Sequence, residues 1–308
     1  MPIHLPPLSR RRFIAGSLAA GAGVMSRGWL GAADAAPQAD PNRVVLLSDT
    51  HVDGNVKTLG RGINMADHLR QACAEILKLD APPAHVLING DFAFNTGESA
   101  DYATAVELLK PVREAGVPVC IGLGNHDNRE RFWAGVADSH KPDAAMKDKH
   151  VALIDTPRAR WLILDSLDVT NQIRGKLGED QLKWLAETLD KDAKKPALVM
   201  VHHNPEIGAA AGKEGGVADT AALLELLSSR KQAKALFYGH SHQWTHEHRE
   251  DGLHLVNLPA NAYVFQPEQP SAWVDARVGK SGATLELRCL NTSHPWHGQK
   301  LPMKWRKS

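Results

Sequence analysis

Five short polar clusters interrupt the apolar runs of this sequence: Asp49-Thr50-His51, Gly90-Asp91, Gly124-Asn125-His126-Asp127, His202-His203 and Gly239-His240-Ser241-His242. Singly, each has an ordinary reading. An Asp ahead of a helix caps it, Gly-Asp is a common turn pair, and a His pair fits a core or a surface. The five are not independent, however: four contain His, and each follows an apolar stretch. Carboxylates, imidazoles and an amide oxygen are the donor set of Zn, Mn, Fe or Co in five- or six-coordinate sites. The chemistry such a set supports is metal-assisted hydrolysis.

The elements that must position these clusters are legible from periodicity. Residues 44–48, 85–89, 117–122, 197–201 and 235–238 are short apolar runs bounded by polar residues, the pattern of buried strands. Residues 150–154 and 160–164 read as two strands joined by a Pro-containing turn. Helical spacing marks 65–79, 102–115, 180–189 and 220–228. After Gly239, stretches 253–258, 271–278 and 283–290 alternate without an intervening helix and predict antiparallel sheet. The tail after Asn291 reads as irregular. Ligands of open α/β sheets gather at the C-terminal ends of strands, so clusters far apart in sequence can meet there.

In this order, the clusters resemble the signature of the calcineurin-like metallophosphoesterase superfamily: DxH, GD, GNHD, H and GHxH. The resemblance spans roughly residues 43–262. Arg129 and Phe132 after the GNHD motif, and Gly178, Gln181 and Trp184 before the fourth, resemble the branch that cleaves cyclic nucleotides and glycerophosphodiesters. The implied fold is α/β, two packed mixed β-sheets flanked by helices in a four-layer αββα sandwich. The implied cofactors are two divalent metal ions. Asp49, His51 and His242 would hold one ion, Asn125, His202 and His240 the other, and Asp91 would bridge them.

A bridging carboxylate keeps such ions roughly 3.5–4 Å apart, and a hydroxide between them would attack phosphorus in line. His126 would lie near the ions without binding them and protonate the departing alkoxide. Arg129 could contact substrate phosphate or cap a helix, and His203 is a weaker candidate for substrate binding. Asn95 could orient the His126 region or serve only a turn. Trp244 and Tyr263 could line the pocket, although aromatics are usually core. Phe94 stands where purple acid phosphatases place a tyrosine ligand, which argues against a tyrosinate–iron centre. The fourth motif reads His-His-Asn-Pro in place of His-His-Pro-Pro, with its first His intact.

Composition narrows the alternatives. The chain has 308 residues, 43% of them hydrophobic, and a formal charge of +1. That length fits one large domain or two small ones, and no internal repeat or linker follows residue 42. Near-neutral charge and the absence of a basic patch argue against nucleic acid as a partner. The three cysteines, Cys73, Cys120 and Cys289, lack CxxC spacing, so neither a thiolate zinc site nor a disulfide framework is expected.

The first residues read as an address. Arg10 and Arg11, followed by Phe13 and Ile14, resemble a twin-arginine (Tat) export signal. A weakly apolar run to Met25 follows, too short to span a membrane, and Ala33-Asp34-Ala35 offers a cleavage site. The expectation is a signal peptide at 1–36, a metallophosphoesterase domain at 37–308, passage through the Tat machinery and a periplasmic or secreted location. Cleavage near Ala36 would leave 32 basic and 34 acidic residues.

The functional expectation is a phosphodiesterase acting on a small or lipid-derived diester. A phosphomonoesterase of the same fold is the first alternative. A binding scaffold without catalysis is the second, disfavoured because all seven ligand positions are filled. A nuclease would need DNA-binding parts for which the chain has no room.

Overall fold

Strands β2 (Asp40–Leu47) and β5 (Pro83–Asn89) carry apolar residues without interruption near their C-terminal ends, and both faces of each are covered. Alternate residues supply different cores. Val44 and Leu46 point into one cluster, Val45 and Leu47 into another. This is the two-sided burial typical of parallel sheet. The computed structural model describes residues 4–5, 38–136, 146–208 and 215–307.

Fifteen strands and six helices are described. The larger sheet has the order β1 (His4–Leu5), β6 (Val119–Gly122), β5, β2, β13 (Ala272–Val278), β14 (Gly282–Cys289), β15 (Lys300–Lys304). Within it β2, β5 and β6 are parallel, and β13 to β15 form an antiparallel meander joined to β2. The second sheet runs β11 (Thr245–His248), β12 (His254–Asn257), β10 (Ala233–Tyr238), β9 (Ala197–Met200), β8 (Arg160–Ile163), β7 (Ala152–Asp155). A small hairpin, β3 (Leu59–Gly60) and β4 (Ile63–Asn64), precedes the first of the described helices.

Leu46, Leu87, Trp161, Leu198, Met200, Phe237 and Val274 fill the space between the sheets. Helices α1 (Met65–Ile76), α2 (Ser99–Leu108), α3 (Lys110–Glu114) and α4 (Arg129–Val136) cover the outer face of the larger sheet. Helices α5 (Glu179–Asp190) and α6 (Thr220–Ser229) cover the outer face of the second. The result is the expected α/β fold, two mixed sheets between helical layers.

Two expectations are corrected. Residues 253–258 do not extend the antiparallel meander: β12 lies in the other sheet, parallel to β10. The tail is not wholly irregular, because β15 pairs with β14 as the edge strand, Pro302 opposite Thr284. An edge position tolerates a proline, which has no N–H to give a further strand. The export signal lies almost wholly outside the described residues. Among these, no helix is long and apolar enough to cross a membrane.

Candidate metal centre

The loops after β2, β5, β6, β9 and β10 converge at one end of the two sheets, and each carries one polar cluster. Backbone bonds lace them together. Asp49 N–H donates to Gly90 O (3.1 Å), His51 N–H to Asp91 O (2.9 Å) and Gly239 N–H to His202 O (2.8 Å). Asn89 Nδ2 donates to Val201 O (3.0 Å) and so ties the two sheets beneath the site. Asp49, His51, Asp91, His240 and His242 all have φ between 46° and 67°. For residues other than glycine this left-handed backbone costs roughly 1–2 kcal/mol each. The lacing holds five such residues in place and turns their side chains toward one point.

The convergence is close. Ligand atoms of Asp49, His51 and His242 lie within 4.8 Å of one another, as do those of Asp91, His202 and His240. Asp91 sits between the two groups: its Oδ2 is 3.6 Å from His51 Nε2 and 3.3 Å from His202 Nε2. Its other oxygen accepts the His126 N–H at 2.8 Å. His242 Nε2 is 3.3 Å from Asp49 Oδ1. Asn125 completes the set with a buried Oδ1 that has no hydrogen-bond partner. Glycines admit this crowding. A Cβ on Gly124 would meet Asp91 Oδ1 at 2.2 Å, and one on Gly239 would meet Ser48 Oγ at 2.1 Å.

The protons point the same way. His202 Nδ1 donates to Asn89 O (2.8 Å) and His242 Nδ1 to Tyr263 O (2.6 Å). A carbonyl can only accept, so in the neutral rings Nε2 keeps a bare lone pair toward the site. Burial pushes His51 down to about 3, and burial with the neighbouring His202 pushes His240 down to about 4. Burial alone would raise the Asp49 carboxyl, but His242 outweighs it and holds Asp49 at about 2. Burial would lower His202, yet the Asp91 carboxylate lifts it to about 9. Orphaned acceptors, bare imidazole nitrogens and anionic carboxylates in a buried cluster fit divalent cations.

His126 stands at the edge of this cluster, half-buried, and shares a third close group with His51 and Asp91. Its Nδ1 donates to Asn95 O at 2.7 Å, so Nε2 is the atom left to hold or release a proton. Asn95 therefore acts through its carbonyl, from a φ of 59°. The cleft above has a volume of about 290 Å³, near the lower bound of roughly 300–1,000 Å³ usual for ligand sites. Tyr263, Phe265, Asn171 and Ile173 line it beside His51, Asp91, Asn125, His126, His240 and His242.

Two anticipated substrate contacts are elsewhere. Arg129 turns its Nε to Asp165 Oδ2 (2.8 Å) and its NH2 to Leu167 O (2.7 Å), away from the cleft. It neither caps a helix nor faces substrate space; it pins the 165–175 loop. His203 is fully buried, bonded through Nδ1 to Ser166 Oγ (2.7 Å), and does not line the cleft. Trp244 belongs to the core between the sheets.

Asp127 is a residue whose role was not anticipated. Buried, it accepts N–H bonds from Phe92, Ala93 and Gly124, and locks the third motif onto the second. Loop 165–175 is another such feature: Asn171 N–H donates to Asn125 O (2.6 Å) and Thr170 Oγ1 to Asp127 O (2.9 Å).

Comparison with known proteins agrees with this geometry. Residues 42–244 match the family described as calcineurin-like phosphoesterase. A cAMP/cGMP dual specificity phosphodiesterase of Mycobacterium tuberculosis is 30% identical over 82% of this chain and 77% of its own. A glycerophosphodiester phosphodiesterase of Enterobacter lignolyticus is 22% identical over 81% of this chain and 92% of its own. A dimetal phosphatase from Danio rerio shares the fold, with a TM-score of 0.67 at 16% identity over 87% of this chain and all of that one.

Proposed function

The chain belongs to the calcineurin-like phosphoesterase family, and we propose that its seven converging donors hold two divalent ions that serve the hydrolysis of a small phosphodiester. It is a metal-dependent phosphodiesterase, as the relatives of both substrate types support. The finer reading is a cyclic nucleotide as substrate. Asp49, His51 and His242 would hold one ion, Asn125, His202 and His240 the other, and Asp91 would serve both. Mn, Fe, Zn and Co all suit these donors. The observation that carries the reading is the placement of Asp91 between His51 and His202, with the orphaned Asn125 oxygen alongside.

When bound, the two ions supply positive charge for the phosphate oxygens and an acidified water for attack on phosphorus. The protein's own residues do the rest. Asp91 is held by the His126 amide, so its Oδ2 stays aimed between the two donor groups. Asn95 fixes the His126 ring, and Nε2 delivers a proton to the leaving alkoxide. An alkoxide needs that proton more than a phenoxide does. Loop 165–175 supports Asn125 from behind.

Rates on bis- and mono-p-nitrophenyl phosphate with defined Mn²⁺, Co²⁺ or Zn²⁺ test the reading. Faster turnover of the monoester would make the chain a phosphomonoesterase. Fewer than one metal per chain and no hydrolysis would favour a scaffold. The sequence before residue 37 supports export through the Tat machinery to the periplasm, which N-terminal sequencing of the exported protein tests; an uncut cytoplasmic protein would refute it.

A further inference from the structure

The mouth of the cleft carries a feature that metal binding and proton transfer leave unused. Phe265 lines the cleft yet is 49% exposed, and Ile173 on the 165–175 loop is 61% exposed. Phe265 stacks on His242, ring centroids 4.2 Å apart and 21° from parallel. The Arg61 guanidinium lies 4.8 Å from the Phe265 centroid. Arg61 sits at the tip of the β3–β4 hairpin with φ 51°, and it has no carboxylate partner among the described residues. The hairpin reaches this position because Gly60 lies flat on Tyr263: a Cβ there would meet Tyr263 Cε1 at 2.7 Å. A strained, uncompensated cation over an exposed aromatic ring is therefore built into the rim.

We infer that Arg61, Phe265 and Ile173 form the subsite that receives the planar substituent of the diester, and so select a nucleobase-bearing substrate over one bearing only glycerol. This rests on the diesterase reading above and deepens it. Phosphate bound beside His242 leaves its organic substituents at the mouth, where Phe265 begins. A planar base there covers exposed Phe265 and Ile173 and stacks with the Arg61 guanidinium, whose delocalised plane matches a heteroaromatic ring. A glycerol group offers no face to stack. Loss of one aromatic stack typically weakens binding about tenfold.

The test uses the full metal-loaded protein with Mn²⁺. The quantity read is the ratio of kcat/KM on 3′,5′-cyclic AMP to that on glycerophosphoethanolamine. Phe265→Ala and Arg61→Ala each lower this ratio about tenfold, mainly through KM on cyclic AMP, and Phe265→Trp restores it. Ile173→Ala, which removes aliphatic rather than aromatic surface, lowers it by a smaller factor. Calorimetric titration separates subsite from metal centre: Phe265→Ala weakens 5′-AMP about tenfold more than it weakens inorganic phosphate. Equal loss on both substrates, or equal loss of AMP and phosphate, overturns the inference. Wild-type protein that cleaves only the glycerol diester overturns it and leaves the diesterase reading standing. Wild-type protein that cleaves neither overturns both.

Discussion

His51 Nε2 and His242 Nε2 face each other across 3.2 Å inside the protein. The His242 Nδ1 proton is committed to the Tyr263 carbonyl, so its Nε2 presents a lone pair. Burial keeps the His51 ring neutral, and because its Nδ1 has no hydrogen-bond partner its Nε2–H can donate to that lone pair. A cation beside Asp49, whose Oδ1 is 3.3 Å from His242, would displace that proton and take both nitrogens as donors. His51 and His202 also flank Asp91 Oδ2, at 3.6 Å and 3.3 Å.

Asp91→Ala removes the carboxylate that lies between the two donor groups. Metal content measured by mass spectrometry falls below one ion per chain, and added Mn²⁺ no longer raises Tm. A ligand that binds only the folded form stabilises it by mass action, so wild-type protein shows that rise. Retention of two ions in the variant would assign the bridge elsewhere.

His126→Ala separates the acid from the ligands. The amide that holds Asp91 Oδ1 is backbone and survives the substitution. Metal content stays at the wild-type level while kcat on an alkyl diester falls by about 10²–10⁴. The loss is smaller on a p-nitrophenyl diester, whose leaving group departs without a proton. Loss of metal would make His126 a ligand, an arrangement its closeness to His51 and Asp91 also permits.

Much of this site is legible in the sequence, for a physical reason. A buried strand must be apolar throughout, so a polar cluster at its end stands out, as Asp49 does after Val44–Ser48. The spacing of Asp49 and His51, or of His240 and His242, is local and survives in sequence. The rest depends on pairings that sequence distance hides. Arg129 looked ambiguous because Asp165, its partner, lies 36 residues away. Asn95 acts through a carbonyl that any residue could supply. Alternation at 253–258 announced a strand but could not say which sheet it would join. The tail after Asn291 reads as irregular because the pairing of β15 with β14 leaves no local periodicity in the sequence.

Arg129→Ala tests the structural role assigned to that residue. Asp165 is fully buried and loses two charge-assisted bonds, and Leu167 O loses one of its two donors, Lys149 Nζ remaining. The backbone N–H groups of His150 and Leu167 still reach Asp165, which limits the cost to about 2–3 kcal/mol. Urea unfolding shows this loss, and KM changes little. A large rise in KM at unchanged stability would return Arg129 to the substrate site.

Metal loading changes the pH dependence of stability above pH 6.5. In metal-free protein His51 and His240 have lowered folded values, about 3 and about 4, against an unfolded value near 6.5. The unfolded chain therefore binds more protons between these limits, and stability rises with pH up to about 6.5. His202 has the opposite sign. Its folded value, raised to about 9 beside Asp91, means the folded protein holds the extra proton. That contribution is complete below 6.5 and is lost as pH climbs through 9. Metal-free protein thus has its highest Tm near pH 6.5 and loses stability between 6.5 and 9. Metal binding demands a deprotonated His202, and ligand protons are released on loading. With Mn²⁺ present the loss above pH 6.5 is abolished, and the gain from metal, read as the difference in Tm between loaded and chelator-treated protein, grows with pH. A gain that shrinks from pH 6.5 to 9 would show that His202 does not give up its proton to a metal.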